Sequence, residues 1–464
     1  MSKQMNLISS KIIPLLDEEF RPAVLANRNF QTQVKPVGVP LVIGLERSGG
    51  EFSRFETSVY PEGHQNMEAN FQYVERLVKF LLWQRGGFKV YIGGSSKVGE
   101  YIRKCYAPAG SQKFDYHFMG EQVYERTFEV VSCDVDKVPA SRETGKLLGR
   151  NLDGSRIGFD LGASDRKVSA VVDGEVVYSE EVVWEPRKHD DPSYHYQEIL
   201  KALKTAAGKM SRVDAIGGSS AGIYIDNRPM VASLFRSIPR ERFGEVKNLF
   251  QRIRDEMGVP LEIINDGDVT ALAGSMSLED NGILGIAMGS SEAAGYVDMN
   301  GHIMGWLNEL AFAPIDYSPN APVEEWSGDR GCGASYFSQQ CVFRLAPKAG
   351  IEIPTDLTDA AKLRFVQEKL EAGHAGAVKI WQSMGVYLGY GLAHYADFYD
   401  IKHVLILGRC TSGRGGDLIL KGAKRVLQTE FPELAERIHI QLPDEKSRRV
   451  GQSIAAASLP VLNT

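Results

Sequence analysis

Two short strands joined by a turn of small residues, with an acid at the end of the first, constrain this chain more than any other feature. Arg156-Ile157-Gly158-Phe159 reads as an apolar strand, Asp160 stands at its end, and Gly162-Ala163-Ser164 turns the chain. It climbs back through residues 168–172, and Asp173-Gly174 closes a second turn into residues 175–178. β-type runs separated by such residues form hairpins. A small-residue tip beside a strand-end carboxylate suits a nucleotide tail. Its backbone N–H groups can face phosphate oxygens while the carboxylate supports Mg²⁺. An Asp-x-Gly hairpin is also an ordinary tight turn, so the rest of the chain must decide.

At 464 residues the chain is too long for one compact core, and two or three domains are expected. Its apolar fraction of 43% and charged fraction of 24% are those of a soluble globular protein. A net charge of −6 leaves no global basic field, so neither nucleic acid nor a membrane is an expected partner. Cys105, Cys133, Cys332, Cys341 and Cys410 are scattered and odd in number, the pattern of reduced thiols in a cytosol. The N-terminal residues lack a secretion signal's apolar core, and no run nears the roughly 18 apolar residues of a membrane span. A cytoplasmic location is expected.

Residues 1–40 read as one short amphipathic helix and a polar connection. Strands are expected at 41–46, 52–60 and 89–92, and a helix at 70–84 with Val74, Leu77, Phe80 and Leu81 on one face. Residues 110–150 alternate weakly and read as an irregular connector. Ile43-Gly44-Leu45-Glu46 answers Ile157-Gly158-Phe159-Asp160, and Ile92-Gly93-Gly94-Ser95-Ser96 returns letter for letter as Ile216-Gly217-Gly218-Ser219-Ser220. Either the N-terminal region is a degenerate repeat of the α/β piece that follows, or the Gly-rich turns are alike by chance. A strand at 260–264 runs into Asn265-Asp266-Gly267-Asp268, with a helix over 269–276 behind it and Asp268 as its N-cap. The Asn-Asp pair thus stands at a strand end, where open α/β sheets bind ligands. A buried strand at 283–288 leads to a second small-residue tip, Gly289-Ser290-Ser291, and a strand at 403–407 ends in Gly408-Arg409.

Phosphoryl transfer to an alcohol needs few parts: clamped phosphates, Mg²⁺, and a carboxylate to accept the hydroxyl proton. In the order of these parts, over about residues 155–463, the chain resembles the ROK family of bacterial sugar kinases, within the actin-like, hexokinase-like phosphotransferase superfamily. The resemblance rests on Asp160-Leu161-Gly162, on the run from Ile264 to Leu272, and on Gly285-Ile286-Ala287-Met288-Gly289-Ser290. It continues through Asn308-Glu309-Leu310, Gly328-Asp329-Arg330-Gly331-Cys332, Leu405-Ile406-Leu407-Gly408 and Gly451-Gln452-Ser453-Ile454-Ala455-Ala456.

The resemblance implies an α/β, two-lobed actin-like (ribonuclease H-like) ATPase fold with an additional N-terminal α/β subdomain. Residues 1–150 would be the addition, 151–265 with the returning 446–464 the first lobe, and 266–445 the second. The addition would pack on the first lobe or on a second subunit, which admits a homodimer. ATP and Mg²⁺ are the implied cofactors and a small carbohydrate the implied acceptor, with Asp266 as general base. Asn265, Glu309, Ser220 and Ser237 would face the acceptor. Gly162, Ala163, Ser164, Lys167, Gly289, Ser290, Ser291, Gly408 and Arg409 would face the nucleotide, and Asp160 would support Mg²⁺ through water.

The departures from the family pattern are specific. Glu292 would bring a negative charge toward phosphates. The family's structural zinc takes one His and three Cys, where this chain has Phe312, Glu325, Ser327 and Cys332, so no zinc is expected. Phe312 also removes a His that would touch the sugar; Ala334 stands where a sugar-binding Glu is common, and Ser237 where an Asn is. The expected activity is ATP-dependent phosphorylation of a sugar or sugar-derivative hydroxyl, with glucose a poor fit. The alternative is a catalytically inactive sugar- or nucleotide-binding relative with a regulatory or scaffolding role. An actin-like ATPase acting on a protein is a third reading, and no helix-turn-helix can be placed for a DNA-binding repressor.

Overall fold

The computed structural model describes residues 5–145, 148–443 and 445–462, without the side chains of residues 445–450. The chain divides into two compact units. One gathers Met1–Thr144, Ile286–Ala294 and Gly305–Leu442; the other gathers Gly145–Gly285, Gly295–Met304 and Pro443–Thr464. This partition departs from the expected one in three places. The N-terminal region joins residues 305–442 rather than the piece that directly follows it, residues 266–285 stay with the unit that holds 145–265, and residues 295–304, expected in the second lobe, belong with 145–285.

In the unit that holds the N-terminal region, four strands form a sheet in the order β2-β1-β3-β4. They are β1 (Val39–Glu46), β2 (Phe52–Val59), β3 (Lys89–Gly93) and β4 (Glu129–Cys133). The helix Ala69–Arg85 is buried on almost every side, down to its polar Asn70, Lys79 and Gln84. β4 and the helical turns Lys113–His117 and Phe118–Val123 occupy the stretch expected to be irregular. β4 is an edge strand that is half-buried along most of its length, so no apolar alternation marks it in the sequence.

The other unit is built on a sheet ordered β11-β8-β5-β6-β7. β5 (Ser155–Leu161), β6 (Asp165–Val172) and β7 (Glu175–Val183) make the antiparallel meander that the turn residues anticipate. β8 (Ala215–Ser220) runs parallel to β5, a small ribbon of β9 (Ile223–Ile225) and β10 (Arg228–Val231) follows, and β11 (Leu261–Asn265) runs parallel to β8. Ile157 and Phe159 point into a core with Leu203, Phe250 and Ile263. The intervening Gly158 faces the other side, where the helix Glu445–Ala457 packs. A Cβ on Gly158 would stand 2.0 Å from the Ser453 carbonyl oxygen, and one on its register partner Gly217 would stand 1.6 Å from that of Ala456. The helix thus rests on bare backbone. Gly217→Ala is expected to cost about 3 kcal/mol through overpacking, read as a lower midpoint in thermal or urea unfolding; an unchanged midpoint would contradict this packing.

The letter-for-letter repeat is not a repeat of topology. β3 runs antiparallel to β1, whereas β8 runs parallel to β5. From β1 to β3 the chain makes two intervening passes, β2 and a helix; from β5 to β8 it makes three, β6, β7 and the helix Pro192–Ala207. One missing strand reverses the direction. The two serine pairs differ as well: Ser95 caps the helix Ser96–Cys105 by accepting from the Val98 N–H, while Ser219 and Ser220 finish a strand.

A last sheet, ordered β13-β12-β14-β15, comprises β12 (Ile283–Met288), β13 (Glu292–Val297), β14 (His403–Leu407) and β15 (His439–Gln441). Among the described residues no helix is long and apolar enough to cross a membrane. All five cysteines are free thiols.

Candidate active site

The parallel register of β5, β8 and β11 aligns three strand ends. Asp160 lies beside Ser219, Leu161 beside Ser220, and Ser220 beside Asn265. Ser219 Oγ donates to Asp160 Oδ1 at 2.7 Å, and the buried Ser220 Oγ to the Leu161 carbonyl at 3.4 Å. Asn265 ends the strand and caps the helix Asp266–Leu278: its Oδ1 accepts from the Gly267 N–H at 2.7 Å, and its Nδ2 donates to the Gly222 carbonyl at 2.8 Å. Asp266 is therefore the first helical residue, and its own Oδ1 accepts from the same Gly267 N–H at 3.0 Å. The expected cap, Asp268, serves elsewhere. Its buried carboxylate accepts from the Tyr296 N–H at 3.1 Å and ties the first turn to β13. Gly295 permits this approach, since a Cβ there would stand 2.0 Å from the Gly267 carbonyl oxygen.

Burial, and then the charge of Asp160, push the Asp266 carboxyl up to about 6 against the pull of the Gly267 N–H. Asp160 is raised as well, first by burial, against the Ser219 hydrogen bond and the charge of Lys167. The charges of Asp165 and Glu181 add to that rise, and a carboxyl raised by a nearby like charge, as Asp266 is by Asp160, is relieved by a proton or a cation. Tyr224 on β9 belongs to the same cluster: burial, then the charges of Asp266 and Asp160, raise its phenol. No sequence motif marks Tyr224. Ser219 could have been found as the strand-end neighbour of Asp160 in the alignment of the two Gly-rich strands.

Lys167 lies across the β5–β6 hairpin from Asp160, with its Nζ 3.9 Å from both Asp165 and Glu181. At the tip the Gly162 N–H donates to the Asp165 carbonyl at 2.9 Å. Trp184 braces this turn: its indole N–H donates to the Gly162 carbonyl at 2.8 Å and its backbone N–H to that of Ser164 at 3.1 Å. Ala163 and Ser164 are exposed, and among the described residues no acceptor meets their N–H groups. Ser237 stands apart from this group, its Oγ donating to the Arg187 carbonyl at 2.5 Å.

The other unit holds the remaining candidates. Gly408 has a φ of +100°, and a Cβ there would stand 2.6 Å from the Met288 carbonyl oxygen, so only glycine fits against the end of β12. That places Gly408 and the exposed Arg409 next to the tip of Gly289, Ser290 and Ser291. The Gly289 N–H donates to the Ser291 carbonyl at 3.0 Å, while the N–H groups of exposed Ser290 and Ser291 meet no acceptor among the described residues. Glu292, expected to face phosphates, turns inward instead. It is 3% exposed, and its Oε1 accepts from the Tyr395 hydroxyl at 3.1 Å. Burial pushes its carboxyl up to about 8.

Glu309 is half-buried, and Phe312 stacks on Trp83 with ring centroids 4.2 Å apart. Of the other positions matched to zinc ligands, Glu325 is exposed, Ser327 donates to Glu324 at 2.7 Å, and Cys332 is buried. Among the described residues no group of three or more His, Cys, Asp or Glu side chains is placed to hold a metal.

No protein-family model matches the chain, and no curated protein matches it in sequence. Solved structures do match. A ROK family glucokinase from Streptomyces griseus, in complex with glucose and AMPPNP, aligns with a TM-score of 0.50 at 19% identity, over 66% of this chain and 98% of its own. The ROK hexokinase from Thermus thermophilus gives 0.51 at 17%, over 65% and 97%. A ROK family transcriptional regulator, a homolog of the E. coli MLC protein, gives 0.53 at 16%, over 66% and 78%. At these identities the likeness shows the fold. This chain has the α/β, actin-like fold of the ROK sugar kinases and their regulator relative, with an additional region beyond it.

Proposed function

We propose that the protein phosphorylates a hydroxyl of a sugar or sugar derivative with ATP. The observation that carries this reading is Asp160 at the end of β5 and Asp266 just past the end of β11, on either side of β8, with the charge of one acting on the other, in a fold shared with a glucokinase and a hexokinase. Asp266, ionised above about pH 6, accepts the proton of the acceptor hydroxyl. Asn265 and Glu309 hold the acceptor, with Ser220 beside Asn265. Asp160, fixed by Ser219, supports Mg²⁺ through water. Ala163, Ser164, Ser290 and Ser291 offer free N–H groups to phosphates, Gly162 and Gly289 shape those tips, and Lys167 adds a positive charge. Gly408 and Arg409 lie against adenosine. The residues fit Mg-ATP because a carboxyl raised by the charge of a second one calls for a cation and two exposed tips carry unpaired donors. When bound, Mg-ATP supplies the phosphoryl group and screens its charge.

A binding protein without turnover is the second reading. It is favoured by Phe312, which is committed to an aromatic stack, and by Ser237, whose hydroxyl is committed to Arg187. Purified protein with Mg-ATP and a panel of aldoses, amino sugars and N-acylated sugars separates the two. The kinase reading predicts ADP release that depends on at least one sugar, with a sugar phosphate in the ³¹P spectrum. Nucleotide binding without turnover on any sugar would establish the second reading instead.

A further inference from the structure

The helix Ala69–Arg85 of the N-terminal region meets the segment that carries Glu309 at two places. On one arm, the Asn308 N–H donates to the Gln84 carbonyl at 2.9 Å and the Glu309 N–H to the Trp83 carbonyl at 3.0 Å. These carbonyls belong to the last turn of the helix, where no intrahelical donor is available. Phe312 then lies on the Trp83 ring. Asn308 is held at a φ of +51°, its Oδ1 accepting from the Tyr399 hydroxyl at 2.8 Å. On the other arm, Asp329 accepts from Arg76 at 3.0 Å and lies 3.5 Å from Lys79 Nζ. Burial alone would raise Asp329, but Arg76 and Lys79 hold its carboxyl below the ordinary range. The arms are joined by the Pro314–Cys332 bridge and by the Gly333 N–H, which donates to the Ala313 carbonyl at 3.0 Å.

A wholly buried lysine is expensive unless it is paired. Lys79 is 0% exposed and is answered by Asp115 at 2.8 Å as well as by Asp329. Arg76 likewise has Glu75 at 2.6 Å besides Asp329. Each cation therefore keeps one partner inside the N-terminal region and extends a second contact to the 324–332 loop. We propose that Arg76, Lys79 and the Trp83 and Gln84 carbonyls are positioning groups for Glu309, so that the additional region sets how the acceptor is held. The claim about the acceptor rests on the kinase reading above; the claim about the segment does not.

Asp329→Asn tests both. It removes the charge contact while leaving the Lys79–Asp115 and Arg76–Glu75 pairs to maintain the fold. The KM for the acceptor is expected to rise about tenfold, with kcat and the KM for ATP within about threefold of the parent. In parallel, hydrogen exchange at the 308 and 309 amides is expected to quicken while the helix Ala69–Arg85 stays protected. Unchanged exchange at those amides, or an acceptor KM that moves only in step with kcat and the ATP KM, would overturn the proposal. If the parent phosphorylates no sugar, the kinase reading fails and the exchange comparison alone decides whether the helix positions the segment.

Discussion

Asp266→Asn is expected to lower sugar-dependent ADP release by about 10²–10⁴-fold, the usual contribution of a general base, with little change in Mg-ATP affinity. The asparagine oxygen can still accept from the Gly267 N–H, so the helix start survives and only the proton acceptor is lost. In the parent the same carboxyl predicts an acid limb. The base must be ionised, so kcat/KM falls as the pH drops below about 6 and is level just above it. Steady-state rates across that range and calorimetric titration with an ATP analogue check both statements. A loss smaller than about tenfold would remove Asp266 from the base's role.

Glu292→Gln is the substitution with the largest expected gain in stability. The folded carboxyl holds its proton up to about pH 8, against an ordinary value of 4.5. Between those values the unfolded chain binds fewer protons than the folded one, so the parent loses stability as pH rises from about 4.5 to about 8. Above about pH 8 the full penalty is present, up to about 5 kcal/mol at 1.36 kcal/mol per unit. Glutamine removes the charge and keeps an oxygen for the Tyr395 hydroxyl. Its amide would lie where Oε2 and the Leu310 carbonyl both crowd Gly333, so an acceptor is close. Urea unfolding near pH 5 and near pH 9 should show parent and variant alike in acid and the variant ahead in base. Equal stability at both would contradict a buried, ionisable Glu292.

Much of the Asp160 surroundings is legible in the sequence, because local chemistry specifies it. The turn residues at 162–164 and Asp173-Gly174, with β-type runs on either side, give the meander, and the abrupt change from an apolar run to Asn265-Asp266 gives the strand end. What is not legible depends on distant partners. Asp268 has the composition of a cap, but Asn265 reaches the Gly267 amide first and leaves Asp268 to Tyr296. Glu292 looks like part of a phosphate tip until Tyr395, far along the chain, is brought to its inner side. The repeated strand sequences mislead because strand direction follows from the number of passes between them. The grip of the N-terminal helix on residues 308–312 leaves no local signature, since it uses backbone carbonyls that any sequence supplies.

Asp266 is claimed to be a proton acceptor whose affinity is set partly by its neighbour Asp160, and one experiment addresses that coupling directly. The pH dependence of kcat/KM for the acceptor is measured in the parent and in Asp160→Asn. The expected result is an acid limb near pH 6 in the parent, displaced to lower pH in the variant on the activity that remains, because the like charge is gone. A limb that stays in place, or a parent rate with no acid limb, would contradict the assignment.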